Sequence, residues 1–465
     1  MGHRKVSRRE FLRQTAAAAG AVAGASILNA CAPAANAPSP TAAPATAAPQ
    51  PTVAPQPTSA PTVISSQTNK LTLITSADQQ PYWEYLSTQF KEAHPGVEIE
   101  LIAPAYDQMR TKILSTLASG AALDAFSMDI IWVGEFASQG LTFPLDDTMT
   151  QQEKDGFLPG LMAGLSSNGK LMAMPGGAWF KNLFYNTDIT KKAGLDAPPK
   201  TYEALVEQGK KLQSDGTVKY ITGWGWSQAE GLICDWTLLH HAFGGQWFDD
   251  KGTWIVNNEQ GVKALTYMVD NLKNKVFDPA STTYNDRTAM NPFFVSDYMG
   301  VAGWGLFGWN ISNDPKESKI PGKVDVGLLY GEDASKVVSA TCSGMSGVSV
   351  SSNSKSKDLA VDWVRRLAGI GQHENTLQAM KLSGIPPVQA WAWNDPTLLK
   401  DNPALPKIAA QAQYMFNRPS ASIVKYSDWS SMAQVELSKA LTGEKSPKDA
   451  LDAIAENSNR DYKHI

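Results

Sequence analysis

Charge is scarce in this 465-residue chain. Only 18% of its residues are charged, against about a quarter in an ordinary soluble domain. Beyond the N-terminus there is no basic run, and the formal net charge is −4. That balance excludes nucleic acid as a partner. Histidine is also sparse: His3, His94, His240, His241, His373 and His464 are the whole set. None falls in an H-E-x-x-H pattern, and the neighbours His240 and His241 cannot share one helix face. The three cysteines, Cys31, Cys234 and Cys342, show no metal-site spacing. Neither a metal nor a cofactor is expected. Cys234 and Cys342 could pair in an oxidising compartment, but are read as two buried thiols. No stretch is long and apolar enough to span a bilayer. Ser343-Gly344-Met345-Ser346-Gly347 misses the G-x-S-x-G nucleophile elbow by one position. A glycosidase pair of carboxylates stays open, because acids far apart in the chain can meet in the fold.

What is present begins with an N-terminus that does not belong to the fold. Residues 1–13 carry Arg4, Lys5, Arg8, Arg9 and Arg13 against Glu10 alone, and a small, apolar stretch follows over 16–28. A basic segment, a short apolar segment and a small-residue cleavage site make an export signal. Ser7-Arg8-Arg9-Glu10-Phe11-Leu12 resembles the twin-arginine signal. Leu28-Asn29-Ala30-Cys31 resembles a bacterial lipobox, which implies lipidation of Cys31 and removal of residues 1–30. The remaining chain then carries a charge of about −8. Residues 32–68 hold no charge and are mostly Pro, Ala, Thr and Ser. Such a composition buries too little apolar surface to fold. The expectation is a tether over 31–69, reaching about 100 Å at ~3.1 Å per residue.

The body, from about residue 70 to 465, is long enough for two or three domains. Residues 70–75 alternate as a strand, 82–91 carry apolar residues at helical spacing, and 97–102 form a second strand. A helix over 106–119 and a strand over 123–128 follow. This order predicts a parallel sheet covered by helices. Further helices are expected over 202–212, 260–271, 357–369, 374–379, 405–415, 432–441 and 447–456. Further strands are expected over 183–185, 220–224, 297–302, 324–329 and 344–349. In open α/β sheets ligands lie beyond the carboxyl ends of strands. The rule selects residues 78–80, 129–132, 224–228 and 303–304.

Four blocks in order carry a family resemblance: Asp129-Ile130-Ile131-Trp132-Val133-Gly134-Glu135-Phe136-Ala137; Gly169-Lys170-Leu171-Met172-Ala173-Met174-Pro175 with Leu183-Phe184-Tyr185-Asn186-Thr187-Asp188; Pro198-Pro199-Lys200-Thr201-Tyr202-Glu203-Ala204-Leu205; and Leu441-Thr442-Gly443-Glu444-Lys445-Ser446-Pro447. With them, the whole body resembles the extracellular solute-binding proteins, family 1, of ABC importers, which are maltose-binding-protein-like. The resemblance implies an α/β, two-lobed periplasmic-binding-protein fold of type II. Three chain crossings join the lobes, placed here near Gly176, Cys342 and Phe416. Lobe 1 is then 70–176 with 344–416, and lobe 2 is 177–343 with 417–465. It implies a monomeric, non-enzymatic receptor, lipid-anchored to the outer face of the cell membrane. That receptor passes a carbohydrate, an oligosaccharide or related polyol, to permease subunits with their ATPase. Glycerol phosphate, a polyamine or an iron chelate are alternative ligands, since Lys181 and Arg418 suit phosphate. A secreted carbohydrate-active hydrolase is the alternative from another class.

A sugar ring offers apolar C–H faces and a polar rim, so aromatic planes beside carboxylates and amides suit it. The tryptophans expected at the cleft are Trp132, Trp179 and Trp304, with Trp226 and Trp429 next, each set against simple core packing. Asp129 is expected to face the ligand, to cap the following helix, or both. Asp78 and Gln79 carry the same ambiguity after the first strand. Arg418 follows the last crossing and would bond the ligand or clamp the lobes. Met345 occupies a turn where relatives often place Trp. Gly303-Trp304-Gly305-Leu306-Phe307-Gly308 fits G-x-G-x-x-G literally, but is read as a bent strand end facing the cleft, since Asn313-Asp314-Pro315 would cut a helix short.

Overall fold

The computed structural model describes residues 69–463 except 159, 287, 334 and 336. The export signal, Cys31 and the tether lie outside the described residues. The body opens with β1 (Lys70–Ile74), α1 (Gln80–Ala93), β2 (Glu98–Ile102), α2 (Tyr106–Ala118) and β3 (Ala125–Asp129), the alternation the sequence predicts. A 3-10 turn (Ile130–Trp132) leads into α3 (Val133–Ser138). After a stretch of short helices come β4 (Met174–Gly177), β5 (Lys181–Asn186), α4 (Tyr202–Ser214), α5 (Glu230–Ala242), α6 (Glu259–Lys273), β6 (Gly300–Trp304), α7 (Gly305–Asn313) and β7 (Val324–Gly327). The chain then returns through β8 (Thr341–Cys342), β9 (Ser346–Val350), α8 (Lys357–Leu367) and α9 (His373–Ser383). It closes with α10 (Leu405–Ala409), β10 (Met415–Phe416), α11 (Tyr426–Leu441) and α12 (Pro447–Asp461).

Two main sheets result. The first has the order β2-β1-β3-β9-β4, and the second β6-β5-β7. The first bears out the parallel order read for its opening three strands and adds one antiparallel member. β1 runs parallel to β2 and β3, but β9 is antiparallel to β3 and β4. The reason is that β9 enters from a crossing, at the end where β3 and β4 finish; Ser346 pairs with both Asp129 and Gly177. In the second sheet both neighbours of β5 are antiparallel to it. Lys181, at the start of β5, pairs with Trp304, at the end of β6. Both sheets therefore turn the ends nearest residues 178–180 and 343–345 towards the crossings.

Local chemistry explains the elements. α4 and α6 are capped by Thr201 and Asn258, whose side chains accept from Ala204 N–H and Gly261 N–H. α12 combines the Ser446 cap with Pro447 in its first turn. α8 buries Ala360, Trp363, Val364 and Leu367, one stripe of a 3.6-residue period, against β9 and α1. Trp83, Phe90 and Trp363 interlock beneath it.

Three expectations change. α7 exists: a helix opens at Gly305, where a bent strand end was expected, and stops at Asn313 just before Asp314-Pro315. Its preceding strand is antiparallel to β5, so it is no part of a βαβ nucleotide unit. Residues 220–224 form only an isolated bridge, Thr222 with Phe277. The helix expected over 405–415 ends at Ala409. Beyond these elements, Gln389 pairs with Phe157, and Ala390 N–H donates to Gly156 O. By Lys407 the chain lies on the second sheet, bonded to Asp325, Asn182 and Leu329.

Candidate functional site

The crossings set the first part of the site. Trp179, between β4 and β5, and Trp304, closing β6, are half-buried. The Trp304 ring leans on the chain at Gly344, and the Trp179 ring lies against Gly177. A Cβ built on Gly344 would fall 2.5 Å from the Trp304 ring and 3.4 Å from Trp179 Cβ. Gly344 N–H donates to Trp179 O at 2.8 Å. Only glycine lets the Trp304 indole approach the crossing backbone this closely.

The second part grows from the end of β3. Asp129 caps the turn that follows it, as foreseen. One oxygen accepts from Ile131 N–H at 3.1 Å, capping the 3-10 turn, and the other accepts from the Tyr106 hydroxyl at 2.6 Å. Tyr106 begins α2, is 49% exposed, and lies stacked 6.1 Å from Trp132. Trp132 itself is buried, its other neighbour being Phe136 at 6.3 Å. Arg418 joins this group from the far side. It is buried, donates to Glu230 Oε1 at 2.7 Å and to Ser343 O at 3.2 Å, and lies 3.7 Å from Asp129. Glu230 also accepts from the hydroxyls of Tyr426 and Ser430, both at 2.5 Å.

The third part is a buried ion triad. Lys181 Nζ donates to Asp235 and Asp286, each at 2.5 Å, and sits 5.2 Å from the Trp304 ring centroid. Asp235 Oδ2 accepts from Gly225 N–H at 3.2 Å. Burial opposes the charge on Lys181, but the two carboxylates outweigh it and hold its pKa above the ordinary lysine range. Burial, with the charge of Asp286 adding to it, pushes Asp235 up to about 6 against the pull of Lys181.

Other expected residues lie elsewhere. Trp226 is a core residue, stacked 5.4 Å from Trp224 with Phe277 at its edge. Trp429 is likewise fully buried, stacked on Trp254 with its Nε1 bonded to Ser458. Both rings are consumed by aromatic neighbours, which removes them from a cleft role. Met345 is buried in the first lobe, where its Cε would meet a Cβ at Gly164. Gln79 is half-buried and accepts from Thr75, while Asp78 is exposed beside it. Neither bonds the Asp129 group.

Sequence reasoning passed over Tyr106, Glu230, Asp235 and Asp286. One signal was available: Asp235 lies between Cys234 and Trp236 in a helix apolar on every side, and such an acid needs a buried partner. Cys234 and Cys342 are both buried and unbonded to each other as a disulfide. Their hydrogen bond, with burial, lifts the Cys234 thiol. Among the described residues no group of His, Cys, Asp and Glu is placed to hold a metal ion, and no helix could cross a membrane. A surface hollow of about 770 Å³ lined by Lys70, Lys112 and Lys355 shares no residue with this site.

Comparison with known proteins agrees with this geometry. The chain is 28% identical over 347 residues to a "Probable ABC transporter-binding protein" of Deinococcus radiodurans, covering 72% of this chain and 79% of the relative. It is 26% identical over 316 residues to the sn-glycerol-3-phosphate-binding periplasmic protein of Escherichia coli, covering 63% and 68%. Among solved structures, maltose-bound MalE3 of T. maritima superposes with a TM-score of 0.73 at 26% identity, over 83% of this chain and 98% of that one. The family model of the bacterial extracellular solute-binding proteins matches residues 75–372, and the chain belongs to that family.

Proposed function

We propose that this protein captures a neutral sugar or polyol between its two lobes and presents it to the permease of an ABC importer. One observation carries the choice of ligand. Among the described residues, both cations of the site are paired with carboxylates, Arg418 with Glu230 and Lys181 with Asp235 and Asp286. A phosphate ligand needs a cation free to bond it, so the pull of the glycerol-phosphate-binding relative is weaker than that of the maltose-bound neighbour. Half-buried Trp179 and Trp304 supply planes for sugar faces, and Asp129 supplies an acceptor. Closure of the lobes over the ligand is a hinge motion at the crossings. Lipidation at Cys31 would hold the receptor at the outer face of the membrane.

Thermal-shift screening followed by calorimetry with maltose, D-mannitol and glycerol 3-phosphate tests the reading. Saturable binding of a neutral sugar or polyol is expected, with no new product by chromatography after long incubation. Preferential binding of glycerol 3-phosphate would overturn the ligand class, and a cleaved sugar would overturn the receptor role.

A further inference from the structure

Four carboxylates gather at the site, and their oxygens are not equally occupied. Asp129 spends one oxygen on Tyr106 and the other on Ile131 N–H. Glu230 spends one on Arg418 and Tyr426 and the other on Ser430. Asp235 spends one on Lys181 and the other on Gly225 N–H. Asp286 gives Oδ1 to Lys181, and its Oδ2 accepts from none of the described residues. The exposures diverge in the same sense. The side chains of Lys181 and Asp235 are 2% and 1% exposed, and that of Asp286 is 27% exposed. The chain also makes room for this carboxylate. A Cβ on Gly231 would lie 3.0 Å from it, and one on Gly225 would lie 2.9 Å from Asp286 N. Two glycines thus let residue 286 settle against the start of α5, with Oδ1 bound to Lys181 and the side chain still 27% exposed.

We propose that Asp286 is the specificity-determining contact of this site, its Oδ2 accepting a hydrogen bond from a hydroxyl of the neutral ligand. Lys181 and Asp235 are positioning residues: they fix the inner oxygen of Asp286 and do not touch the ligand. The inference rests on the sugar reading above and deepens it. A carboxylate with a fixed, half-open oxygen bonds a hydroxyl strongly, because an ionised acceptor gives a stronger bond than a neutral one. The same oxygen rejects a phosphate. Lys181 with two carboxylates leaves one negative charge uncompensated, and like charges in a partly desolvated site repel. Discrimination here comes from a repulsive element as well as an attractive one.

The test is calorimetry at pH 7.5 on the wild type, Asp286→Asn, Asp286→Ala and Asp235→Asn, each beside its melting curve. The neutral probes are maltose and D-mannitol; the anionic probes are glycerol 3-phosphate and mannitol 1-phosphate. With the neutral probe that the wild type binds, Asp286→Asn should weaken affinity about tenfold and Asp286→Ala up to about a hundredfold, as expected for a charge-assisted bond. In Asp286→Asn the preference for neutral over anionic probe should also shrink, because the uncompensated negative charge of the triad is gone. Asp235→Asn, buried away from the ligand, should lower the melting temperature more than it changes that preference. A merely structural Asp286 would lower stability and weaken both classes equally, and that result overturns the proposal. So does wild-type affinity in Asp286→Ala. If the wild type binds neither maltose nor D-mannitol but binds an anionic probe, the sugar reading falls and this inference with it; binding in the wild type with unchanged variants sinks the inference alone.

Discussion

The tryptophans of this protein differ in what lies against their faces, and that difference predicts how each behaves when removed. Trp179 and Trp304 keep solvent on part of the ring and lean on backbone at the crossings. Replacing either by Ala should weaken sugar binding about thirtyfold, the cost of a central aromatic of roughly 2 kcal/mol, with little change in melting temperature. Trp132 is pressed between Tyr106 and Phe136, so Trp132→Ala should lower both affinity and stability. Calorimetry beside differential scanning separates the two outcomes. Arg418 gives a third pattern. Arg418→Met strands Glu230 with the nearby Asp129, and breaking a buried pair on one side costs about 3–5 kcal/mol. A large drop in melting temperature should precede any interpretable loss of binding, and an unchanged melting curve would contradict the buried geometry. The sequence placed Trp179 and Trp304 ahead of Trp226 only through the family resemblance, since all three follow a crossing or an expected strand. It could not see that Trp224 and Phe277 would enclose Trp226. The Lys181 triad was hidden for a related reason: its partners are 54 and 105 residues away, and no local spacing encodes such a meeting.

At the level of elements, α1, α2, α4, α6, α8 and α12 were legible because each shows one apolar stripe to one core. α5 was not, because it is buried on all sides and has no polar face to mark a period. α7 was obscured by the proline that ends it. α5 also carries an acid-sensitive pair. Burial, with the charge of His241 adding to it, lowers His240 well below the usual range; burial lowers His241 to about 4 against a bond to Thr237 O. Both are neutral in the fold, while an unfolded histidine takes its proton near 6.5. The unfolded chain then gains protons that the folded chain refuses, so this contribution is complete above pH 6.5 and is lost as pH falls towards 4. Asp235, raised to about 6, works the other way between 6 and its unfolded value, favouring the fold as pH falls. His241→Gln isolates the histidine term: the melting-temperature loss between pH 7.5 and pH 5 should be smaller in the variant, by up to about 2 kcal/mol of stability. An identical loss in both proteins would exclude His241 as a source. Gly344→Ala tests the crossing in turn. The added methyl must push Trp304 aside, and affinity should fall while the sheets stay intact by circular dichroism.

For the whole molecule, the two-lobed α/β plan was readable from motif order, whereas the antiparallel second sheet was not. Strand direction in β6 and β7 depends on long returns that leave no periodic trace, and α10 reaches the second sheet through bonds to Asn182 and Asp325, with Gln411 just beyond it accepting from Leu329 N–H. Hinged closure predicts a smaller radius of gyration by X-ray scattering with saturating sugar, through a shift towards the closed population. An unchanged radius at proven saturation would remove the hinge. Cys31→Ser should free the protein from membranes with its melting curve intact; retention after a carbonate wash would refute the lipid anchor. One arrangement has a practical corollary. Trp179 and Trp304 flank Gly344 at the place where three passes of the chain meet, while Trp226, Trp236, Trp254, Trp363 and Trp429 are sealed in the core. Ligand and lobe rotation would alter the polarity around those two indoles and leave the sealed ones as a constant background. On the proposed site the protein would carry its own fluorescent gauge of occupancy, and a titratable emission change that vanishes in a Trp179→Phe, Trp304→Phe double variant would let sugar binding be followed optically without a dye.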